Sequence, residues 1–169
     1  MKPIRVVVVD DSTFIRKALA RMLGDHERID FVGDAGSGEE LLANLETWQP
    51  DVITMDLDMP GMGGLETLNR LTAIRPTPVI VLSTHTGEGA PLTIEALHRG
   101  GTDFIDKQRY SLVDFETLRG VLLEKIFQVT GASADDEIDE ALPTPDDARA
   151  ADLAAADASR YDTPGLLAR

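Results

Sequence analysis

The sequence predicts an α/β fold in which five parallel strands form one doubly wound sheet with helices on both faces. Short apolar runs, rich in β-branched residues, alternate with longer segments that carry apolar residues at helical spacing. Five repeats of strand then helix occur, and parallel neighbours in a sheet require helical crossovers. Glycine and proline residues separate many of the segments. These three observations together indicate the fold class.

Three pairs of a strand and a helix are predicted in the first half of the chain. The strands are the apolar runs at residues 4–9, 29–32 and 52–55. Ser12 or Thr13 can cap the first helix and Ser37 the second, because a hydroxyl accepts the free backbone N–H groups of a helix start. Apolar residues at helical spacing mark the three helices: Ile15, Leu19, Met22 and Leu23; Leu41, Leu42, Leu45 and Trp48; and Leu65, Leu68, Leu71 and Ile74.

Two further pairs are predicted in the second half. Residues 79–82 form the fourth strand, and Pro91 is well suited to the first position of the helix after it. Residues 102–105 form the fifth strand, and the last helix runs from about residue 114 to 129. The apolar residues Leu92, Ile94 and Leu97 mark the first of these two helices, and the second carries Phe115, Leu118, Leu122 and Ile126 on one face.

Composition limits both the domain organisation and the class of function. The 169 residues carry a formal charge of −14, which argues against binding of nucleic acid or anionic membranes. Residues 132–169 hold ten acidic side chains against three arginines, a net charge of −7, and few large apolar side chains. We therefore expect a domain at residues 1–130 and a disordered or partly helical acidic tail at 131–169, with a transient helix at 149–160.

The cellular compartment is indicated by residue types and segments that the sequence lacks. It contains no cysteine, which fits a reducing cytoplasm and removes thiolate chemistry. Its apolar runs are strand-sized and too short to cross a bilayer, and the first strand begins too early for a signal peptide. A cytoplasmic protein is expected.

Reactive or charged side chains stand at the ends of four predicted strands. Asp10 and Asp11 follow the first strand, Asp56 the third, Ser83 the fourth and Lys107 the fifth. A doubly wound sheet brings these ends to one edge. Three crowded carboxylates must either hold protons or recruit a cation, and Mg²⁺ suits such oxygen ligands.

Asp56 lies within the stretch DVITMDLDMPGMGG, residues 51–64. Taken alone, this stretch leaves open a carboxylate that faces solvent or caps a helix and one that reacts. The other strand ends favour reaction. A carboxylate beside a metal can attack phosphorus and form an acyl phosphate. Lys107 can stabilise the phosphoryl oxygens, and Ser83 can donate a hydrogen bond to the new phosphate.

The sequences VVVVDDS, DVITMDLDMPGMGGLETL, PVIVLST and GGTDFIDK resemble the response-regulator receiver domain of two-component signalling. The resemblance covers roughly residues 3–129, and DDSTFIRKAL and RPTPVIVLST are most similar to the receiver half of chemotaxis methylesterases. It implies a flavodoxin-like fold with strand order 2-1-3-4-5. It also implies a cytoplasmic, chemotaxis-type phosphoprotein.

The resemblance assigns roles to individual residues. It implies that Asp56 is the phospho-acceptor, that Lys107 pairs with the phosphate, and that Ser83 is the switch hydroxyl. It places Mg²⁺ on the acidic pair and the acceptor, with one backbone carbonyl: Asp10, Asp11, Asp56 and the carbonyl of Asp58. Phe104 matches the aromatic residue that changes rotamer on switching. The positions that tune dephosphorylation and donor access are Asp58, Thr84 and His85.

Partners also follow from the resemblance. A histidine kinase would donate the phosphoryl group. A phosphorylation-dependent output protein, or an effector domain missing from this chain, would bind the fourth helix, fifth strand and fifth helix, at residues 92–99, Phe104 and residues 112–127. The sequence departs from the family at three places: Gln108 replaces the usual proline, Gly63 replaces Asp or Asn, and Thr84 is larger than usual.

Three alternatives remain at this point. The chain can be the front of a chemotaxis protein-glutamate methylesterase, although it contains no G-x-S-x-G nucleophile elbow. An aspartate-based phosphohydrolase also uses a D-x-D pair, but after its first strand rather than its third. A flavin or nucleotide module is disfavoured because no glycine-rich phosphate loop follows the first strand. We expect a stand-alone receiver without esterase activity.

Overall fold

A computed structural model describes residues 1–83, 90–109 and 114–132. Within these ranges the chain forms five strands and five α-helices, with a short 3₁₀ turn after the last strand. In chain order they are β1 Ile4–Val9, α1 Thr13–Gly24, β2 Ile29–Ala35, α2 Gly38–Trp48, β3 Val52–Asp56, α3 Gly63–Ile74, β4 Val79–Ser83, α4 Ala90–His98, β5 Asp103–Asp106, the turn Lys107–Arg109, and α5 Phe115–Thr130.

All strand pairs in the sheet are parallel, and the strand order is β2-β1-β3-β4-β5. The predicted flavodoxin-like order is therefore confirmed. From β1 the chain first adds a strand on one side and then returns to the other side to form β3. The connection that leaves β1 and the connection that leaves β3 run in opposite directions across the sheet. This divergence opens a crevice at the carboxyl ends of β1 and β3.

The two faces of the sheet have separate apolar cores. Side chains alternate between faces along each strand, so Val6 and Val8 belong to one core and Val7 and Val9 to the other. Helices α1 and α5 cover the first face, and α2, α3 and α4 cover the second. The buried apolar helix residues are Leu19, Met22, Leu23, Leu122, Ile126 and Phe127 on one side, and Leu41, Leu45, Leu68, Leu71 and Ala96 on the other. The central strands are buried on both faces, as their continuous apolar sequences indicate.

Strand β2 is three residues longer than the sequence predicts. Its pairing with β1 shifts register between Val6 and Val7, so that Val32 has no partner there and forms a bulge. Gly33, which directly follows the predicted strand at residues 29–32, is itself a strand residue. A Cβ atom at Gly33 would lie 2.3 Å from the Trp48 indole, so this glycine provides room for the indole.

Two predicted apolar positions on helices do not face the core. The Ile74 side chain is 66% exposed and Ile94 is 55% exposed. In α4 the buried face instead contains Thr93 and Ala96, three residues apart, and a helix turns by about 100° per residue, so Ile94 points away from the sheet. Ile74 is the last residue of α3 and lies beside Leu42 of α2 in an open cleft.

Local signals for helix starts are reproduced in the structure. Ser12 caps α1, with its hydroxyl accepting the Ile15 N–H at 3.3 Å, and Ser37 caps α2 by accepting the Glu40 N–H at 3.2 Å.

The predictions for Thr84, His85 and the acidic tail with its helix at 149–160 lie outside the described residues. None of the helices in the described part of the chain is both long enough and apolar enough to span a membrane.

Candidate functional site

The site lies at the carboxyl edge of the sheet, in the crevice between β1 and β3. Asp10 follows the last residue of β1, Asp56 is the last residue of β3, and both side chains are buried. Ser83 ends β4 and is also buried, while Lys107 follows β5 directly. Asp56 pairs with Leu82, so Ser83 lies one residue beyond the position opposite Asp56 on the neighbouring strand.

Three carboxylates meet in this crevice. Asp10, Asp11 and Asp56 each offer one oxygen, and these oxygens all lie within 4.8 Å of one another. Asp10 and Asp56 are buried and Asp11 is exposed, so the cluster opens to solvent on one side. Like charges this close disfavour simultaneous ionisation unless a cation joins them.

The Asp10 carboxylate uses both of its oxygens. One oxygen accepts a hydrogen bond from Lys107 Nζ at 2.6 Å, and the other accepts the backbone N–H of Ser12 at 2.9 Å. The Asp10 backbone N–H donates to the Ala35 carbonyl of β2 at 3.0 Å. These contacts fix the turn that follows β1.

Asp56 is held more loosely than Asp10. Its Oδ2 atom lies 3.5 Å from Lys107 Nζ, and its Oδ1 accepts the Asp58 N–H at 3.2 Å. Burial raises the pKa of the Asp56 carboxyl; Lys107 opposes this rise, and the neighbouring carboxylate of Asp10 adds to it. A desolvated carboxylate is more basic than one in water, which suits a nucleophile, and a cation in the cluster would keep it ionised.

The charges of the cluster leave room for a divalent cation. Lys107 supplies one positive charge against the three carboxylates, so two negative charges remain uncompensated within this set. The donors are hard oxygens, which Mg²⁺ prefers, and one of the three faces solvent, where bound water can complete the coordination. The residues present therefore fit Mg²⁺. The part of the Asp58 carbonyl in binding it stays a prediction.

The glycines after β3 have distinct roles. A Cβ atom at Gly64 would lie 2.6 Å from Leu57 Cα and 2.9 Å from the Asp56 carbonyl oxygen, so only glycine lets α3 start this close to Asp56. Gly63 has φ of +73° and open space around it. Asp and Asn tolerate this left-handed conformation better than most residues, which explains how glycine can replace them here.

The predicted switch residues occupy two different settings. Ser83 is buried at the end of β4, on the strand between Asp56 and Lys107. Phe104 lies on β5 with its side chain 46% exposed, and its backbone N–H donates to Asp103 Oδ1 at 2.7 Å. The Asp58 side chain is exposed beside the cluster. The roles of all three residues remain predictions.

Arg16 is a site residue that the sequence did not reveal. Its Nη1 donates to the Asp10 carbonyl oxygen at 2.7 Å, and its Nε donates to Asp34 Oδ2 at 2.8 Å. The guanidinium thus links the turn after β1 to strand β2. A cation in the first turn of a helix is unfavourable against the helix dipole. The position of Arg16 in α1 is therefore the one sequence signal that could have indicated a tertiary partner.

Comparison with protein families places most of the chain in one of them. Residues 6–115 match the response regulator receiver domain model. The response regulator domain of Thermotoga maritima CheB has a similar crystal structure, with a TM-score of 0.71 and 42% sequence identity over 78% of this chain and 99% of that chain. The signal receiver domain of the response regulator NarL from Mycobacterium tuberculosis has a TM-score of 0.63 at 27% identity over 75% of this chain and 98% of that chain.

Curated relatives with full-length sequences are larger. The protein-glutamate methylesterase/protein-glutamine glutaminase of Halalkalibacterium halodurans is 44% identical over 124 residues, which cover 73% of this chain and 36% of that protein. The Bacillus subtilis protein of the same name is 41% identical over 124 residues, which cover 73% of this chain and 35% of that protein. The chain thus spans little more than a third of the length of these relatives.

Proposed function

We propose that this chain, which belongs to the response regulator receiver domain family, takes a phosphoryl group from a histidine kinase onto Asp56 and thereby switches a protein-binding surface. One observation carries the proposal. The buried Asp56 carboxylate lies with Asp10 and Asp11 in a cluster of oxygens within 4.8 Å, and Lys107 lies 3.5 Å from it. This arrangement provides a nucleophile, a cation site and a fixed positive charge at one sheet edge.

Phosphoryl transfer in this site forms one bond and breaks one. An Asp56 carboxylate oxygen attacks the phosphorus of a phosphohistidine, the P–N bond breaks, and the released imidazole takes a proton from solvent. The product is an acyl phosphate on Asp56. Charge spreads over the three other phosphoryl oxygens in the transition state, so the groups around Asp56 act by stabilising that charge.

Lys107 is the positively charged side chain that gains a new contact in this scheme. Its ammonium group sits closer to Asp10, at 2.6 Å, than to Asp56, at 3.5 Å. A phosphoryl group on Asp56 brings new oxygens within reach of the same ammonium group, which can donate to one of them while it remains near Asp10. The Ser83 hydroxyl can donate to another, so modification is detected at the ends of both β4 and β5.

Asp10, Asp11, Asp56 and the backbone carbonyl of Asp58 would hold Mg²⁺. When bound, the ion supplies positive charge that offsets the carboxylates and the phosphoryl oxygens. The surrounding residues position the carboxylates: Ser12 and Arg16 hold Asp10 in place, and the Asp58 N–H orients the Asp56 carboxylate. Asp11, the exposed member, gives the cation its route from solvent.

The output surface is proposed on α4, β5 and α5. Two large apolar side chains lie exposed there, Ile94 of α4 and Phe104 of β5. Phe104 is three residues before Lys107 on the same chain segment, so a change at the lysine can reach it through β5. The partner is a protein or an effector domain, and the strongly acidic chain supports such a partner rather than nucleic acid.

A second candidate is the receiver region of a chemotaxis protein-glutamate methylesterase. The names of the relatives and their greater length favour it. In that case the missing effector domain is the output partner, and phosphorylation of Asp56 regulates an esterase that this sequence does not include. The mass of the endogenous protein from its own cells separates the two candidates: 18.3 kDa supports the stand-alone receiver, and a mass near that of the relatives supports the methylesterase.

We further propose that the chain is cytoplasmic and does not turn over phosphate esters. The proposed chemistry is limited to phosphorylation and dephosphorylation of its own Asp56, unlike that of a phosphohydrolase. The family match supports this view, and so does the position of Asp56 after β3, with Asp10 and Asp11 already after β1. Phosphotransfer from a panel of the host's histidine kinases tests the function. Rapid transfer from one kinase is expected, and transfer from none of them would argue against it.

A further inference from the structure

We infer that Glu39 is a positioning residue for the β3–α3 loop, residues 57–62, and so for the Asp58 carbonyl. Its carboxylate reaches from the first turn of α2 and holds the far end of this loop. The inference rests on the proposed function, because it matters only if the loop contributes a ligand to Mg²⁺. Glu39 touches neither the cation cluster nor the acceptor, and it acts through the backbone of Met62.

Pro60, the buried side chains of Leu57 and Met59, and the hydrogen bond from the Met59 N–H to the Leu57 carbonyl at 3.2 Å restrain the first part of the loop. The end of the loop next to α3 has little to stiffen it from within. Gly61 and Gly63, on either side of Met62, both have left-handed backbones, with φ of +78° and +73°. Glycine loses the most conformational freedom on folding, so a segment that contains two of them is costly to order. Met62 occupies the cap position of α3, and its side chain cannot cap the helix. This end of the loop therefore depends on groups outside it.

Glu39 supplies the missing contact. Its Oε1 accepts the Met62 N–H at 3.0 Å, and the same oxygen lies 3.0 Å from the place a Cβ of Gly61 would take. The carboxylate sits at the N-termini of two helices, its own α2 and the facing α3, where backbone dipoles favour negative charge. Hydrogen bonds from the backbone N–H groups of Glu39 and Met62 lower the pKa of its carboxyl, which therefore stays ionised as an acceptor.

The other end of the loop is held by the site itself. The Asp58 N–H donates to Asp56 Oδ1 at 3.2 Å, and the Gly64 N–H donates to the Leu57 carbonyl at 3.2 Å. A cation or a phosphoryl group on Asp56 competes with the first of these bonds. The contact at Glu39 is remote from that competition, so it keeps the Asp58 carbonyl in place when Asp56 is engaged.

The inference predicts a specific change in Mg²⁺ affinity. Glu39→Ala removes the acceptor and leaves all three clustered carboxylates in place. We expect the dissociation constant for Mg²⁺ to rise about two- to fivefold, the size of effect that the loss of one hydrogen bond produces. The phosphorylation rate at saturating Mg²⁺ should stay unchanged, because the acceptor and Lys107 are untouched, while the Mg²⁺ concentration for half-maximal rate should rise.

The experiment uses the full chain and four variants. Titration with magnesium chloride alone, without a phosphodonor, is followed by NMR of the backbone amides. Glu39→Gln keeps an oxygen acceptor and should restore most of the affinity. Glu39→Asp keeps the charge but is one methylene shorter, so it should behave like Glu39→Ala. Glu46→Ala, an exposed glutamate on the same helix, is the matched control and should bind Mg²⁺ as the parent does.

The outcomes separate this inference from the proposed function. Weaker Mg²⁺ binding in Glu39→Ala and Glu39→Asp, with recovery in Glu39→Gln and no change in Glu46→Ala, supports it. Parental affinity in Glu39→Ala overturns it alone, provided the parent binds Mg²⁺ and is phosphorylated by acetyl phosphate. A parent that binds no Mg²⁺ overturns both proposals. If Glu39→Ala does not fold, the comparison of Glu39→Asp with Glu39→Gln decides the question.

Discussion

The ammonium group of Lys107 lies 2.6 Å from a carboxylate oxygen of Asp10, although their strands are not neighbours in the sheet. Strand β5 ends one edge of the sheet, and β3 and β4 separate it from β1. The ion pair therefore joins the ends of β5 and β1 across the carboxyl ends of β3 and β4. Asp56 is at the end of β3, one of the two strands that the pair crosses. Both partners are largely buried, so the contact is well shielded from solvent.

Lys107→Ala should retain Mg²⁺ binding and lose coupling to the output surface. The carboxylates remain and lose a competing cation, so their affinity for Mg²⁺ should be maintained or increased. After phosphorylation, the amide resonances around Phe104 should shift in the parent and stay near their unmodified positions in the variant. Lys17→Ala, at an exposed position on α1, serves as the control. Normal shifts at Phe104 in phosphorylated Lys107→Ala would contradict this prediction.

Asp56→Asn should stabilise the protein at neutral pH when Mg²⁺ is absent. Burial raises the pKa of Asp56, so the folded state binds more protons than the unfolded state between the two pKa values. The contribution of Asp56 to stability therefore falls as the pH rises through the folded-state pKa. We expect Asp56→Asn to exceed the parent by about 1–3 kcal/mol in free energy of unfolding at pH 7, since it relieves a buried charge.

The same difference should shrink as the pH falls below the ordinary range of an aspartate carboxyl, where the parent is protonated in both states. Lys107 keeps its closer partner Asp10 in the variant, so no new unpaired cation complicates the comparison. Urea unfolding in EDTA at several pH values measures this, with Glu46→Gln as a control that should show no such trend. A gap between Asp56→Asn and the parent that widens toward low pH would contradict the raised pKa.

Mg²⁺ should raise the unfolding temperature of the parent, and Asp11→Asn should remove most of this effect. A ligand present at 100 times its dissociation constant stabilises a folded protein by about 2.7 kcal/mol. Asp11 is exposed, so its replacement should leave folding without metal unchanged. Asp58→Asn is the matched control, because Asp58 is proposed to bind through its backbone carbonyl. Equal loss of the Mg²⁺ effect in Asp58→Asn would show that its side chain takes part.

Substitution by alanine should reduce stability by different amounts at the two neighbouring glycines Gly63 and Gly64. Gly64→Ala forces a Cβ against backbone atoms of Leu57 and Asp56, and overpacking of this kind costs about 1–3 kcal/mol. Gly63→Ala meets open space, so its only cost is the left-handed backbone, about 1–2 kcal/mol. Gly63→Asn should cost less still, because asparagine tolerates this conformation. Chemical denaturation orders the three variants, and a Gly64→Ala protein as stable as the parent would argue against the close approach.

The sequence was a good guide to the sheet because its determinants are local. Continuous apolar runs such as residues 6–9 and 79–82 are typical of central strands that are buried on both faces, and the helices between them favour parallel pairing. The strand order and the meeting of Asp10, Asp11 and Asp56 at one edge follow from that topology. Their chemistry was predictable as a group because all three stand at the carboxyl ends of two neighbouring strands, β1 and β3.

The features that the sequence did not reveal depend on contacts between distant residues. Gly33 looks like a turn residue, and its reason for being glycine is the indole of Trp48, which arrives from the next helix. Ile94 fits an apolar stripe, but the docking of α4 turns Thr93 and Ala96 toward the sheet instead. Arg16 and Glu39 bind backbone groups of other loops, and nothing in their neighbouring sequence identifies those partners.

The intact mass of the protein after incubation with acetyl phosphate and Mg²⁺ tests the central claim most directly. The parent should gain the mass of one phosphoryl group, sensitive to hydroxylamine as an acyl phosphate is. Asp56→Asn should gain nothing, although it folds. Removal of Mg²⁺ with EDTA should abolish the gain in the parent. A folded Asp56→Asn protein that is still labelled to the same extent would contradict the assignment of Asp56 as the phospho-acceptor.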